Sequence, residues 1–168
     1  DLSKETQDEL QKKWKVSEFN SLYTFYYSGF NVRSTDLQAY IGLSQIDKLE
    51  DWGKSREYNY NMYQDLIEND YWKPKSQEDS FTSNFAYPVI HPNRDKIVQK
   101  LRDNDVEVRP MICGSMGTQP FYVKKYGVLK LPNVTEIDEF GFYVPNHPKL
   151  TIEQIKFICN LINEGIKE

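Results

Sequence analysis

Between Thr35 and Trp52 the apolar residues refuse to keep to one stripe. Leu37, Ala39, Tyr40, Ile41, Leu43, Ile46, Leu49 and Trp52 spread around a helical wheel, with the small Gly42 and Ser44 among them. A helix that is apolar on all sides belongs in an interior. In a chain of 168 residues, that implies cover from a partner subunit or another domain, or else a central helix of a small domain. On composition the two stand level.

The start of that helix is as informative as its body. Thr35 and Gln38 have capping-box spacing: the threonine hydroxyl meets the Gln38 amide and the glutamine side chain reaches back. Gly29 permits the turn ahead of it. Free N–H groups and the positive end of the helix dipole then face Asn31, Arg33 and Ser34, a suitable place for a phosphate. The plainer reading keeps Asn31 as a turn residue and Arg33 as a solvated one.

The rest of the chain fits one domain with enough length for a core. A net charge of -4 leaves no basic stripe for nucleic acid. No apolar run spans a bilayer and no secretory signal is visible. Cys113 and Cys159 share no metal or redox spacing and read as free thiols of a reducing, cytoplasmic compartment. His91 and His147 have no neighbours at ligand spacing, so no metal is expected. Twelve Tyr, nine Phe and three Trp supply either stacking surfaces or core.

Periodicity predicts a short polar helix over 3–16, with Leu10 and Trp14 on one side, and an extended aromatic segment over 18–30. A long helix runs from Thr35 to about Ile67, where Gly53 is a candidate bend, and a loop covers 72–83. Strands are expected over 85–90 and 106–112, around a helix that starts after Pro92 and Asn93. Thr151 and Gln154 make a second capping box for a last helix whose Ile152, Ile155, Ile158, Leu161 and Ile162 face inward. The fold class is α+β: a small domain carried by a long helix. Glu136, Asp138 and Glu139 read as a solvated acidic face. Phe140, Phe142 and Tyr143 read as core, or as the lining of a sugar pocket.

Gly-Phe-Asn-x-Arg-x-Thr-Asp-x-Gln-Ala-x-x-Gly-Leu-x-Gln, from Gly29 to Gln45, resembles the signature of the DegT/DnrJ/EryC1/StrS family. The resemblance continues through Phe85–Val89, Val106–Pro110, Gln119-Pro120-Phe121-Tyr122 and the Val144-to-Thr151 turn, over nearly the whole chain. Members are pyridoxal-phosphate enzymes acting on nucleotide-linked keto sugars. The resemblance implies the small domain of a fold-type I, aspartate aminotransferase-like protein, in which residues 1–34 close the large domain. Residues 35–70 would form the interface helix and 71–168 the α+β small domain.

It also implies a cytoplasmic homodimer with shared active sites, with pyridoxal 5'-phosphate as cofactor, glutamate as amino donor and a nucleotide-linked keto sugar as acceptor. Neither nucleic acid nor membrane would be a partner. In the family the asparagine of the Gly-x-Asn-x-Arg turn reaches the partner's cofactor phosphate, so Asn31, with Arg33, is the implied cofactor contact. Ser34 and Thr35 stay structural. Arg109, at the end of a strand and before Pro110, could meet a phosphate or carboxylate bidentately.

From Ile112 to Thr118 the chain departs from the Pro-Leu-His triplet common in the family. Two glycines and a serine suggest a loop whose backbone approaches the substrate, which gives Ser115 and Gln119 substrate roles. A similar Gly-Asn-x-x-x-Gln-Pro loop occurs in the branch acting on GDP-linked 4-keto-6-deoxymannose, including 3-dehydratases in which histidine replaces the cofactor lysine. That lysine would lie upstream, before a Gly-Gly-Glu-Gly-Gly-like run absent here, and the chain begins at Asp1 without methionine. The expectation is the C-terminal part of a longer enzyme, with no catalytic residue of its own and no activity alone. Aminotransferase, dehydratase and a non-catalytic carbohydrate-binding or interaction module are the competing functions.

Overall fold

A computed structural model describes residues 3–16, 26–27, 35–75, 79–112 and 114–168. The turn bearing Asn31, Arg33 and Ser34, most of the aromatic segment over 18–30, and Cys113 lie outside the described residues. The chain divides into two compact units, Asp1–Leu43 and Ser44–Glu168.

In the first unit, α1 (Lys4–Lys13) is started by Ser3, whose hydroxyl accepts from the Thr6 amide at 3.2 Å. Thr35 opens α2 (Asp36–Leu66) with the expected capping box. Thr35 N donates to Gln38 Oε1 at 2.9 Å, and Gln38 N donates to Thr35 Oγ1 at 3.3 Å. Helix α2 runs on into the second unit, which begins at Ser44, and continues unbroken past Gly53. Its early apolar residues are bare: Tyr40 is 75% exposed and Leu49 69%, with Leu37, Ile41, Leu43 and Ile46 similarly open. The described chain does not bury this stretch, so any cover for it comes from elsewhere.

The later half of α2 behaves differently, because there the side chains do find a core. Tyr60 and Tyr63 are buried and meet Tyr87 with ring centroids 5.2 and 5.0 Å away. Tyr87 lies on β1 (Ala86–Ile90), which is followed by α3 (Arg94–Asp103), β2 (Arg109–Pro110), α4 (Pro120–Tyr126), α5 (Pro132–Phe140), β3 (Gly141–Pro145) and α6 (Ile152–Lys167). The sheet order is β1-β3-β2, with β3 antiparallel to both neighbours. The strands flanking α3 are therefore parallel to each other and separated by β3. Pro88 and Pro110 both sit on edge strands, where a missing N–H can face away from the ladder.

Alternation sorts the sheet into two faces. Tyr87, Val89, Phe142 and Val144 enter the core with Ile97 and Leu101 of α3 and Ile155, Ile158, Cys159, Leu161 and Ile162 of α6. The inward face of α6 agrees with the sequence except at Ile152, which is 42% exposed in the first turn. The second capping box is present, with Thr151 N on Gln154 Oε1 at 2.9 Å and Gln154 N on Thr151 Oγ1 at 3.2 Å.

The strand expected over 106–112 shrinks to two residues. Val106 N is still bound to Leu101 O at 2.9 Å, closing the end of α3. Beyond Pro110 the chain turns at once, with Gly114 N donating to Met111 O at 3.0 Å. Sequence periodicity also missed α4, α5 and the central strand β3. The acidic residues Glu136, Asp138 and Glu139 fall on α5 and are exposed.

Two measurements follow. Gly165 lets α6 lie against α3: a Cβ there would stand 2.8 Å from Ile97 Cγ1 and 3.0 Å from Ile97 Cα. Gly165→Ala should lower stability in urea denaturation even though alanine favours helix by about 1 kcal/mol; a gain would mean that the helices separate freely. Burial pushes the Cys159 thiol up to about 12. In a Cys113→Ser background, Cys159 should ignore a disulfide reagent at pH 8 until the protein is unfolded.

Candidate functional site

The sheet face away from the core carries Ala86, Pro88, Arg109, Tyr143 and Pro145, paired across β3 as Ala86 with Pro145, Pro88 with Tyr143 and Arg109 with Tyr143. Two adjoining cavities of about 340 and 370 Å3 lie here and share Phe85, Ala86 and Tyr143 as walls. The Phe85 and Tyr143 rings meet edge to face at 5.7 Å. Of the aromatic trio in the sequence, Phe142 turns into the core, while Tyr143 lines both cavities.

The first cavity is polar at its end near β2. Arg109 Nε and Nη2 both reach Glu107 Oε1, at 2.8 and 2.5 Å. The Glu107 carboxylate raises the pKa of the guanidinium, which stays charged. Both side chains are about two-thirds exposed, at 64 and 65%. Such a pair stabilises the fold little; it orients a cation at the cavity mouth.

Deeper in, Arg56 of α2 and Asn146, just beyond β3, complete the wall with His147. Asn146 is fully buried, and its Nδ2 donates to Arg56 O at 3.0 Å and Asn84 O at 2.9 Å. Its Oδ1, and the Nε of Arg56, are buried without a hydrogen-bond partner among the described residues. A polar atom left so costs about 1–3 kcal/mol.

The second cavity is apolar, lined by Met111, Ile112 and Ile137, with Gly114 at its edge. Gly114 has φ +48, and the Asp138 carboxylate occupies the space where a Cβ would project. A Cβ on Gly117 would likewise run into the Leu129 carbonyl. The glycines of this loop therefore admit neighbours from the same chain. Ser115 is buried at 3%, with its carbonyl accepting from Thr118 N at 3.1 Å and Thr118 Oγ1 at 3.0 Å. Gln119 precedes α4, its carbonyl taking the Tyr122 and Val123 amides.

Among the residues singled out in the sequence, then, Arg109 lines a cavity, while Ser115 and Gln119 sit on the adjacent loop and line neither. Asn31 and Arg33 are outside the described residues. Glu107, Arg56 and Asn146 went unnoticed. Glu107 was within reach: two residues before Arg109 in an extended segment, it points to the same side. Arg56 and Asn146 are 90 residues apart, and nothing local joins them. His91 Nδ1 accepts from Asn93 N at 3.0 Å, and burial lowers its pKa. Among the described residues no group of three or more His, Cys, Asp or Glu could hold a metal ion. No helix there is long and apolar enough to cross a membrane.

Residues 4–163 match the model of the DegT/DnrJ/EryC1/StrS aminotransferase family. The chain belongs to that family. A GDP-4-keto-6-deoxy-D-mannose 3-dehydratase of Yersinia pseudotuberculosis is 26% identical over 89% of the chain and 40% of its own length. A GDP-perosamine synthase of Escherichia coli O157:H7 is 28% identical over 81% of the chain and 37% of its own. The fold is similar to that of the E. coli GDP-4-keto-6-deoxy-D-mannose-3-dehydratase solved with bound hydrated PLP. There the TM-score is 0.65 at 22% identity, over 88% of this chain and 40% of that one. The chain thus spans about two-fifths of the length of these relatives, and its α+β fold is that of a fold-type I sugar aminotransferase part.

Asn146→Ala should destabilise the domain by about 2–3 kcal/mol, since it strips donors from two buried carbonyls. Thermal or urea unfolding measures this; a loss under 0.5 kcal/mol, roughly the scale of a neutral surface change, would show that water replaces the amide.

Proposed function

We propose that the chain is the C-terminal portion of a PLP-dependent nucleotide-sugar aminotransferase that moves an amino group from glutamate to a keto deoxysugar. The observation that carries this reading is the family match over 4–163, which includes the Gly29-to-Gln45 segment. Asn31, with Arg33, would hold the cofactor phosphate of a second copy. An amide and a guanidinium ahead of a capped helix start are a donor set suited to a phosphate dianion, and the cap at Thr35 is formed. The bound cofactor would supply the electron sink for breaking bonds at the substrate carbon.

The remaining roles belong to this chain. Arg109, oriented by Glu107, meets an anionic group of the substrate at the cavity mouth. Tyr143 and Phe85 offer an aromatic wall to a sugar ring. Ser115 and Gln119, on the loop beside that wall, would reach the substrate only if that loop shifts toward it, since Ser115 is buried. Exposed Leu37, Tyr40, Ile41 and Leu43 support a homodimer in which a second copy covers α2. A cytoplasmic setting suits an enzyme that uses nucleotide-linked sugars.

The 3-dehydratase activity of the same family is the second reading, favoured by relatives of that name at similar identity. The residue preceding a Gly-Gly-Glu-Gly-Gly-like run upstream discriminates: lysine for the transferase, histidine for the dehydratase. A native protein without such an upstream domain would instead favour a non-catalytic binding module.

In the full-length protein, Asn31→Ala should raise the cofactor dissociation constant about 10- to 150-fold, the value of one hydrogen bond to a charged group. Retention of the cofactor's absorbance through dialysis reads this directly, and unchanged retention would remove Asn31 from the site. Arg109→Ala should raise KM for the nucleotide sugar by about tenfold, leaving cofactor retention intact.

A further inference from the structure

Arg56 and Asn146 meet on the wall of the first cavity, each with a polar atom that no described residue satisfies. Both amide hydrogens of Asn146 are committed, to Arg56 O at 3.0 Å and Asn84 O at 2.9 Å. This fixes the amide orientation, because a flip would strand two carbonyls to no gain. Asn146 Oδ1 is then an acceptor with no donor, and Arg56 Nε a donor with no acceptor. Among the described residues no carboxylate stands within ion-pair distance of Arg56, whereas Arg109 on the same wall is matched by Glu107. Among the described residues, then, the cavity wall carries one cation without a counter-ion and, closed off behind it, one acceptor without a donor.

We infer that this corner of the cavity binds a small oxyanion that carries its own hydrogen-bond donor next to the charge. An α-hydroxy or α-amino carboxylate has that form, and so does a singly protonated phosphate. The Nε edge of a guanidinium presents two parallel N–H groups that match two oxygens of such an anion. The adjacent hydroxyl, ammonium or P–OH donates to Asn146 Oδ1. Arg56 is half-buried and Asn146 fully buried, so the ligand enters with a rotation of the Arg56 side chain that brings Nε to it and uncovers Asn146 Oδ1. His147 lines the same cavity, and its Nδ1 already accepts from Lys149 N at 3.2 Å, which leaves Nε2 to carry the ring proton. The corner shares its cavity with Arg109, Tyr143 and Phe85, and the anion binding described for it needs no cofactor.

Calorimetric titration of the full-length protein with glycolate, acetate and inorganic phosphate tests this. Glycolate should bind at least fivefold more tightly than acetate, which lacks the donor for Asn146. Arg56→Gln should abolish both, with the unfolding midpoint showing that the variant is folded. Should that variant not fold, Arg56→Lys keeps the charge without the Nε edge, and its glycolate affinity should fall at least fivefold. Phosphate binding more tightly than glycolate assigns the corner to a phosphoryl group, and the reverse order assigns it to a substituted carboxylate. Equal affinity for glycolate and acetate, binding that survives Arg56→Gln unchanged, or no heat with any of the three would overturn the assignment.

Discussion

The second unit depends on the docking of the later half of α2 against β1 and β3. Tyr63 stacks on Tyr87 and sends its hydroxyl to the Pro145 carbonyl at 2.9 Å. One side chain thus contributes ring area to the core and a hydrogen bond to the end of the central strand. Asn59 Nδ2 fastens the next carbonyls along, on His147 O at 3.1 Å. At the far end Asn163 of α6 takes the Glu68 amide at 2.8 Å and gives to Leu66 O at 2.8 Å, so that the C-terminal helix caps the long one. Burial raises the Tyr63 pKa, as it must for a phenol enclosed by apolar groups.

Because α2, α3 and α6 all contribute to one core on one face of the sheet, the other face is left to cavities. The asymmetry is what brings Arg109, Tyr143 and Arg56 to a shared surface although they come from three different elements. Alternation along β3 does the sorting: Phe142 and Val144 go inward and Tyr143 goes out. A one-residue slip in register would exchange them and empty both the core and the site.

What the sequence made legible was whatever is written locally. Both capping boxes, the length of α2 and the buried face of α6 depend on residues within a turn or two of each other, and all were readable. The segment 106–112 looked like a strand because Val106 and Val108 alternate with Glu107 and Arg109, yet its pairing is cut short by a helix end before it and a turn after it. Strand β3 was hidden because its five residues follow α5 directly and contain both an aromatic pair and a proline. The site was legible in part. Arg109 was found from its strand end, Glu107 could have been found from the period of two, and the Arg56–Asn146 meeting depends on long-range packing that no window contains. The family resemblance came from motifs that run in order along the chain, which is why it survived the errors in individual elements.

Pro88 and Pro110 sit on the two strands that flank β3 in the three-stranded sheet of the described residues. An edge strand invites another chain to add to it, and a proline withholds the donor that such an addition needs. This sheet is therefore blunted on both sides, so copies of the molecule are steered away from growing into a continuous ribbon. Growth by association is left to side chains, whose shapes can be selective, in place of backbone, which accepts any strand.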